Sequence, residues 1–274
     1  MILTDTHTHL YASEFDADRD ALIGEAMSKG VQRFFLPNID STSEDALFAL
    51  EKKYPSNCFV MMGLHPCSVK ENWEEELARV EAHFSKRDFA AVGEIGIDLY
   101  WDKTFVKEQE EVFRRQVRLA RQKNLPVVIH SRESFEEIYS ILIDENNNAP
   151  ARRSFSEGGE PGTRNPAHSQ GIFHCFTGTT DQAKRAIDLG FYLGIGGVVT
   201  FRNSGLDKVV AETGLAPLVL ETDAPYLAPA PHRGKRNLPE YIVSVAEKIA
   251  SVLNIPVEEV ARQTTENSKT IFGI

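Results

Sequence analysis

Ile2-Leu3-Thr4-Asp5-Thr6-His7-Thr8-His9 opens as a short apolar run and closes on two histidines separated by one residue. Ile2–Thr6 reads as a strand of the kind buried on both faces. The side-chain period of two sends His7 and His9 to the same side of its C-terminal end. Two imidazoles on one rigid element are pre-positioned for a metal ion. Alone the pair is a weak signal, because two polar residues at a strand edge look the same. Recurrence along the chain changes that.

Seven more short runs follow: Val31–Leu36, Cys58–Gly63, Ala90–Ile95, Pro126–Ile129, Gly171–His174, Phe191–Ile195 and Leu218–Glu221. Helical patterns separate them, at Ala17–Lys29, Glu44–Lys53, Glu74–Lys86, Lys107–Lys123, Phe135–Glu145, Asp181–Leu189 and Leu206–Glu212, with Pro239–Leu253 after the last strand. Ser43 and Thr180 stand where helix caps belong. Strands alternating with helices imply parallel βαβ units. A doubly wound sheet would gather its polar site at one switch point. Here histidines and acids close many of the runs, as on the active face of a (β/α)₈ TIM barrel. The expectation is therefore an α/β fold, one such barrel spanning residues 1–274. Asn146–Gln170, rich in Gly, Pro, Asn, Ser and Arg, reads as an irregular insertion. It follows a helix and precedes a strand, so it belongs on the face away from the chemistry. Its Arg152, Arg153 and Arg164 read as solvated charges.

Composition narrows the class. The formal charge of −10 over 274 residues argues against a protein that coats duplex DNA with its whole surface. Three cysteines without CxxC spacing make a disulfide framework unexpected. With no basic, apolar leader at Met1 and no run long enough to span a bilayer, a cytoplasmic protein without a membrane partner is expected. A monomer is admissible; nothing in the pattern sets the oligomeric state.

Five of the eight histidines (His7, His9, His65, His130 and His174) fall at strand C-termini, together with Glu94 and Asp223. His83, in a charged helix, and His168 read as surface residues, and Cys67 and Cys175 as partly buried free thiols. His7, His9, Glu94, His130, His174 and Asp223 are too many ligands for one tetrahedral zinc. They suit two divalent ions roughly 3.5–4 Å apart. Barrel order puts His7, His9 and Asp223 on one ion and His130 and His174 on the other, with Glu94 as the bridge. Such a pair lowers the pKa of bound water from ~15.7 towards ~7, and Asp223 is placed to orient that water or take its proton. Asp5, one strand period before His7, is expected to orient a ligand histidine. His232-Arg233-Gly234-Lys235-Arg236-Asn237 follows the last strand, where barrels of this kind bind phosphate. Arg132 is a second phosphate candidate. Tyr100, Trp101, Phe176 and Tyr226 are placed to stack an unpaired base, though each alone reads as packing or capping.

These motifs resemble those of the TatD-type metal-dependent deoxyribonucleases, within the amidohydrolase-like barrels. The resemblance rests on DTHTHL (Asp5–Leu10), GLHP (Gly63–Pro66), GEIGID (Gly93–Asp98), VIHSR (Val128–Arg132) and HCFTG (His174–Gly178). ETDAPYLAP (Glu221–Pro229), HRGKRNLP (His232–Pro239) and ENSKTIFG (Glu266–Gly273) complete it, in order along the whole chain. It implies that the six ligands above hold two metal ions, Zn²⁺ or Mg²⁺/Mn²⁺, and that Glu94 and Asp223 serve catalysis. It further implies that His65 and Glu221 support the site and that Arg233, Lys235, Arg236 and Asn237 lie on the substrate side. The implied activity is hydrolysis of DNA phosphodiesters, as a 3′→5′ exonuclease on single strands or frayed ends. An aminoacyl-tRNA deacylase or a small-molecule amidohydrolase would use the same site on a carbonyl. A non-catalytic metal-bearing barrel is the third reading. The Asn146–Gln170 insertion is longer than the resemblance leads one to expect.

Overall fold

A computed structural model describes residues 1–148 and 171–274. Eight parallel strands follow one another around a single sheet: β1 (Leu3–Asp5), β2 (Val31–Pro37), β3 (Cys58–Met62), β4 (Ala91–Asp98), β5 (Val127–Arg132), β6 (Gly171–Phe173), β7 (Phe191–Ile195) and β8 (Leu218–Leu220). The Thr6 amide donates to Leu220 O at 3.0 Å and the Asp223 amide to His7 O at 3.0 Å, so β8 closes back on β1. The fold is the expected (β/α)₈ barrel.

Around it run α1 (Arg19–Ser28), α2 (Glu44–Lys53), α3 (Trp73–His83), α4 (Val106–Lys123), α5 (Phe135–Asn147), α6 (Thr180–Asp188), α7 (Leu206–Thr213), α8 (Ile242–Leu253) and α9 (Val257–Phe272). The 3₁₀ turn Pro239–Tyr241 precedes α8, where one continuous helix was expected. The cap of α6 is Thr179, one residue earlier than the sequence suggests. Its hydroxyl accepts from the Gln182 amide while the Gln182 side chain accepts from the Thr179 amide, a reciprocal pair. Ser43 does not cap α2; its hydroxyl turns back to Asn38 Oδ1 at 2.9 Å. No helix among the described residues is long and apolar enough to cross a membrane.

Helix α9 escapes the periodicity argument for a physical reason. Its buried face runs from Val260 and Ala261 to Ile271 and Phe272 through Thr264, Thr265, Asn267 and Ser268, so polar residues interrupt its apolar stripe. Those polar groups bind main chain instead: Asn267 Nδ2 donates to Leu218 O at 2.7 Å and Thr265 Oγ1 to Ile2 O at 3.2 Å. The end of α9 stoppers the N-terminal mouth of the barrel, where Phe272 stacks on Phe35 with centroids 3.8 Å apart. Above it the inward positions Met61, Ala91, Val128, Ile172 and Val219 form an apolar floor separate from the helix-facing core. The segment expected to be an irregular insertion continues α5 to Asn147. Residues 149–170, with Arg152, Arg153, Arg164 and His168, lie outside the described residues.

Candidate metal centre and active site

The same strand period that fills the floor with apolar groups fills the mouth with polar ones. Following Met61, Val128, Ile172 and Val219 by steps of two gives His65, His130 with Arg132, His174, and Glu221 with Asp223. Strand β4 breaks the rule. Ala91 points inward, so Gly93 should follow it, yet Glu94 does. Three residue steps along β4 (Val92 to Ile95) run beside two along β5 (Val127 to Ile129), a bulge that reverses the parity. The strand then continues past its expected end, and Asp98 faces inward with Glu94. On β7 the inward position is Gly194; a Cβ there would lie 2.2 Å from Glu221 Oε2, so the absent side chain leaves room for that carboxylate.

Glu94, 3% exposed, is shared between two groups of histidines. Its Oε2 lies 3.2 Å from His7 Nε2 and 4.0 Å from His9 Nε2. Its Oε1 lies 3.0 Å from His130 Nδ1, 3.3 Å from His65 Nε2 and 3.8 Å from His174 Nε2. Asp223 Oδ1 sits 3.3, 3.6 and 3.9 Å from the Nε2 atoms of His9, His174 and His7. The His7 and His174 rings stack at 3.3 Å. The structure thus brings all six proposed ligands to one place, with His65 beside them. A cavity of about 680 Å³ opens over them, bordered also by Arg132, Trp101 and Tyr226.

Hydrogen bonds fix which ring nitrogens are free. Tyr11 gives its hydroxyl proton to Pro37 O at 2.6 Å, so at 2.9 Å it accepts from His9 Nδ1–H, leaving the His9 Nε2 lone pair to face Asp223. His65 is the opposite case. Its Nδ1 accepts from the Cys67 amide at 3.0 Å, so the neutral ring carries its proton on Nε2 and points a donor into the cavity. His130 Nε2 meets Asp98 Oδ2 at 2.9 Å, which leaves Nδ1 for the Glu94 side. Asp98 also accepts from the Tyr100 and Trp101 amides through Oδ1. Neither Asp98 nor Tyr11 is recognisable from spacing alone, although Asp98 lies inside the GEIGID motif.

Electrostatics keep the acids ionised. Burial acts upward on Glu94, but His65, His7 and His174 outweigh it and hold the carboxyl well below its usual range. Asp223 is likewise lowered against burial, chiefly by His174 and His9. Burial, helped by His174, pulls His7 down to about 3, so it stays neutral. Burial pulls His174 down too, yet Glu221, Glu94 and Asp223 prevail and raise it to about 10. Among the described residues no lysine or arginine pairs with Glu94 or Asp223. Two enclosed carboxylates ringed by imidazole nitrogens, with no lysine or arginine among them, form a donor set that fits a divalent metal. Tyr11→Phe is expected to weaken metal binding about 10- to 100-fold by freeing the His9 tautomer. Isothermal titration with Zn²⁺ checks it; unchanged affinity would refute the tautomer assignment.

The remaining candidates separate. Glu221 is fully buried with Oε1 3.1 Å from His174 Nδ1, an ion-pair contact rather than an aligned hydrogen bond. Asp5 does not reach a histidine ring. It accepts from the His7 and Thr222 amides and the Thr222 hydroxyl, tying β1 to the segment after β8, while His7 Nδ1 finds no hydrogen-bond partner among the described residues. The basic loop does not line the cavity. Arg236 pairs with Asp18 over the Phe15 ring, and buried Asn237 donates to Thr222 O and Tyr226 O, so both brace the loop. Arg233 lies over Phe201 at 4.5 Å, and Lys235 is exposed. Arg132 borders the cavity and pairs with no carboxylate among the described residues. His83 is not a bare surface residue: it meets Glu44 at 3.0 Å. Cys67 and Cys175 border the cavity as free thiols, and burial pushes Cys67 up to about 12.

Residues 4–273 match the family model described as TatD related DNase. The uncharacterized metal-dependent hydrolase YabD of Bacillus subtilis is 36% identical, with both chains covered in full. The uncharacterized metal-dependent hydrolase YcfH of Escherichia coli K12 is 31% identical over all of this chain and 97% of its own. Among solved structures, the TatD homologue YjjV from Escherichia coli K12 superposes with a TM-score of 0.87 at 28% identity, covering 99% of this chain and 98% of that one.

Proposed function

The chain belongs to the TatD-related DNase family of metal-dependent hydrolases, and from that membership and the site geometry we propose that it cleaves DNA phosphodiesters. The proposed substrate is single-stranded or frayed DNA, digested 3′→5′. The carrying observation is the division of buried Glu94 between two histidine groups beneath an open cavity with an unpaired arginine at its edge. That division supports a reading in which His7, His9 and Asp223 would hold one ion, His130 and His174 a second, and Glu94 would serve both. When bound, divalent ions supply water activation near neutral pH and neutralise charge developing on the phosphoryl group.

The chain's own groups do the rest. Asp223 is 13% exposed at its side chain against 3% for Glu94, so it is the ligand acid able to touch water. Its carboxylate accepts the proton of the attacking water. His65 offers its Nε2–H to a phosphoryl oxygen, and Arg132 supplies a planar donor fork to the same group. Arg233 and Lys235, outside the cavity, are left to meet phosphates further along a longer strand.

The test uses protein stripped with a chelator and reloaded separately with Mg²⁺, Mn²⁺ or Zn²⁺. End-labelled single-stranded and duplex DNA, an aminoacyl-tRNA and an amide panel are offered in parallel. Stepwise shortening of the single strand from its 3′ end is expected with at least one ion. Turnover of the aminoacyl ester or an amide with no phosphodiester cleavage under any ion would overturn the reading.

A further inference from the structure

Seven large apolar side chains are exposed among the described residues. Met1, Ile2 and Ile274 belong to the chain ends; of the other four, Trp101, Tyr226 and Leu227 border the cavity and Tyr100 stands edge to face with Trp101. An apolar cluster exposed around a polar site marks a place where something apolar is bound. Tyr100 and Trp101 are 49% and 68% exposed, yet their loop is pinned. Asp98 Oδ1 accepts from both their amides, at 2.9 and 3.0 Å, while Oδ2 holds His130. Further along the loop Asp102 pairs with Lys70 at 2.6 Å and accepts from the Thr104 amide. The backbone that carries the two rings is therefore tied to the same carboxylate that meets His130.

Arg132 completes the surface. Its guanidinium lies 3.9 Å from the Tyr100 ring centre and 5.2 Å from that of Trp101, and those two rings meet edge to face at 4.9 Å. An aromatic face beside a cation with no carboxylate partner matches a nucleotide's two chemistries, a flat π surface and an anionic phosphate. We propose that Tyr100, Trp101 and Arg132 form a base-stacking subsite that holds one unpaired nucleobase of single-stranded DNA on Trp101 while Arg132 takes its phosphate. The subsite rests on the phosphodiesterase reading and adds to it the source of strand preference. A base inside a duplex is already stacked and does not present a free face to the indole.

Trp101 and Trp73 are the only tryptophans in the chain, so a Trp73→Phe background makes Trp101 the sole indole reporter. Binding is measured first, in chelator, with a single-stranded oligonucleotide, a blunt duplex of the same sequence, and a single strand whose terminal nucleotides are abasic. Saturable quenching by the base-bearing single strand, with little from the others, is expected. Absence of quenching, or equal quenching by the abasic strand, would overturn the subsite. Cleavage is measured second, with ion restored. Trp101→Ala should raise KM on the base-bearing strand about 5- to 150-fold, the span of one lost stacking contact. Trp101→Phe should recover most of that, and on the abasic strand the ratio of Trp101→Ala to parent KM should approach one. Equal penalties on both strands would also overturn it. Quenching without cleavage under any ion would sink the phosphodiesterase reading while leaving the subsite standing.

Discussion

Glu94→Gln is expected to cost about 100- to 4000-fold in metal affinity, with activity falling at least in step. Five histidine nitrogens lie within 4.0 Å of the Glu94 oxygens, and both oxygens are buried. Removing one partner from a buried charge cluster costs about 3–5 kcal/mol, because the others keep their desolvation penalty and lose their compensation. The amide also loses one acceptor oxygen, so it satisfies only one of the two histidine groups. Metal content after desalting, read beside circular dichroism in chelator, separates this from unfolding. A folded variant that retains its full metal complement would show that Glu94 does not join the two groups.

Asp223→Asn is expected to act on turnover instead of loading. The side chain follows β8 with Oδ1 facing three Nε2 atoms, and it is the more exposed of the two acids among the six proposed ligands. Its residue is held at a φ of 57°, in a region that favours glycine, by its amide's bond to His7 O and by the Tyr226 amide donating to its own carbonyl at 2.7 Å. Such a backbone is kept where the side chain must aim in one direction. An asparagine keeps the shape and an oxygen ligand but takes up no proton. The expected loss is about 10²- to 10⁴-fold in kcat with little change in KM, the usual worth of a positioned proton acceptor. Steady-state kinetics on labelled single strands, with metal content measured on the same samples, checks it. A kcat close to that of the parent with metal retained would remove Asp223 from the proton path.

The two variants are complementary. Glu94 is almost wholly enclosed and joins the histidine groups to each other, whereas Asp223 looks outward to the cavity. A site needs both kinds of acid: one to assemble it and one to meet the substrate.

The barrel, and the convergence of most of the six proposed ligands at its mouth, were legible in the chain because both depend on local order. A buried parallel strand is a short apolar run, and a period of two carries its inward face from Val128 to His130 or from Val219 to Asp223 without reference to the rest of the molecule. What tertiary structure alone decided lies between residues distant in sequence. The bulge that turns Glu94 inward is a register shift against β5, invisible in β4 itself. Asp98 became a partner of His130 only because β4 runs past its expected end. The tautomer of His9 hangs on Tyr11 and, through it, on Pro37 O. Arg236 and Asn237 were read as substrate groups from type and position, but Asp18, Thr222 and Tyr226 O engage them. Helix α9 was hard to read because the middle of its buried face satisfies main-chain carbonyls with Thr and Asn, which interrupts the apolar stripe between Ala261 and Ile271. Composition and spacing thus determined the inward face of strands such as β5 and β8, since period and hydrophobicity are properties of each strand, whereas Glu94 needed the register of its neighbour. Hydrogen-bond partners decided what those side chains are free to do, and partners are chosen by folding.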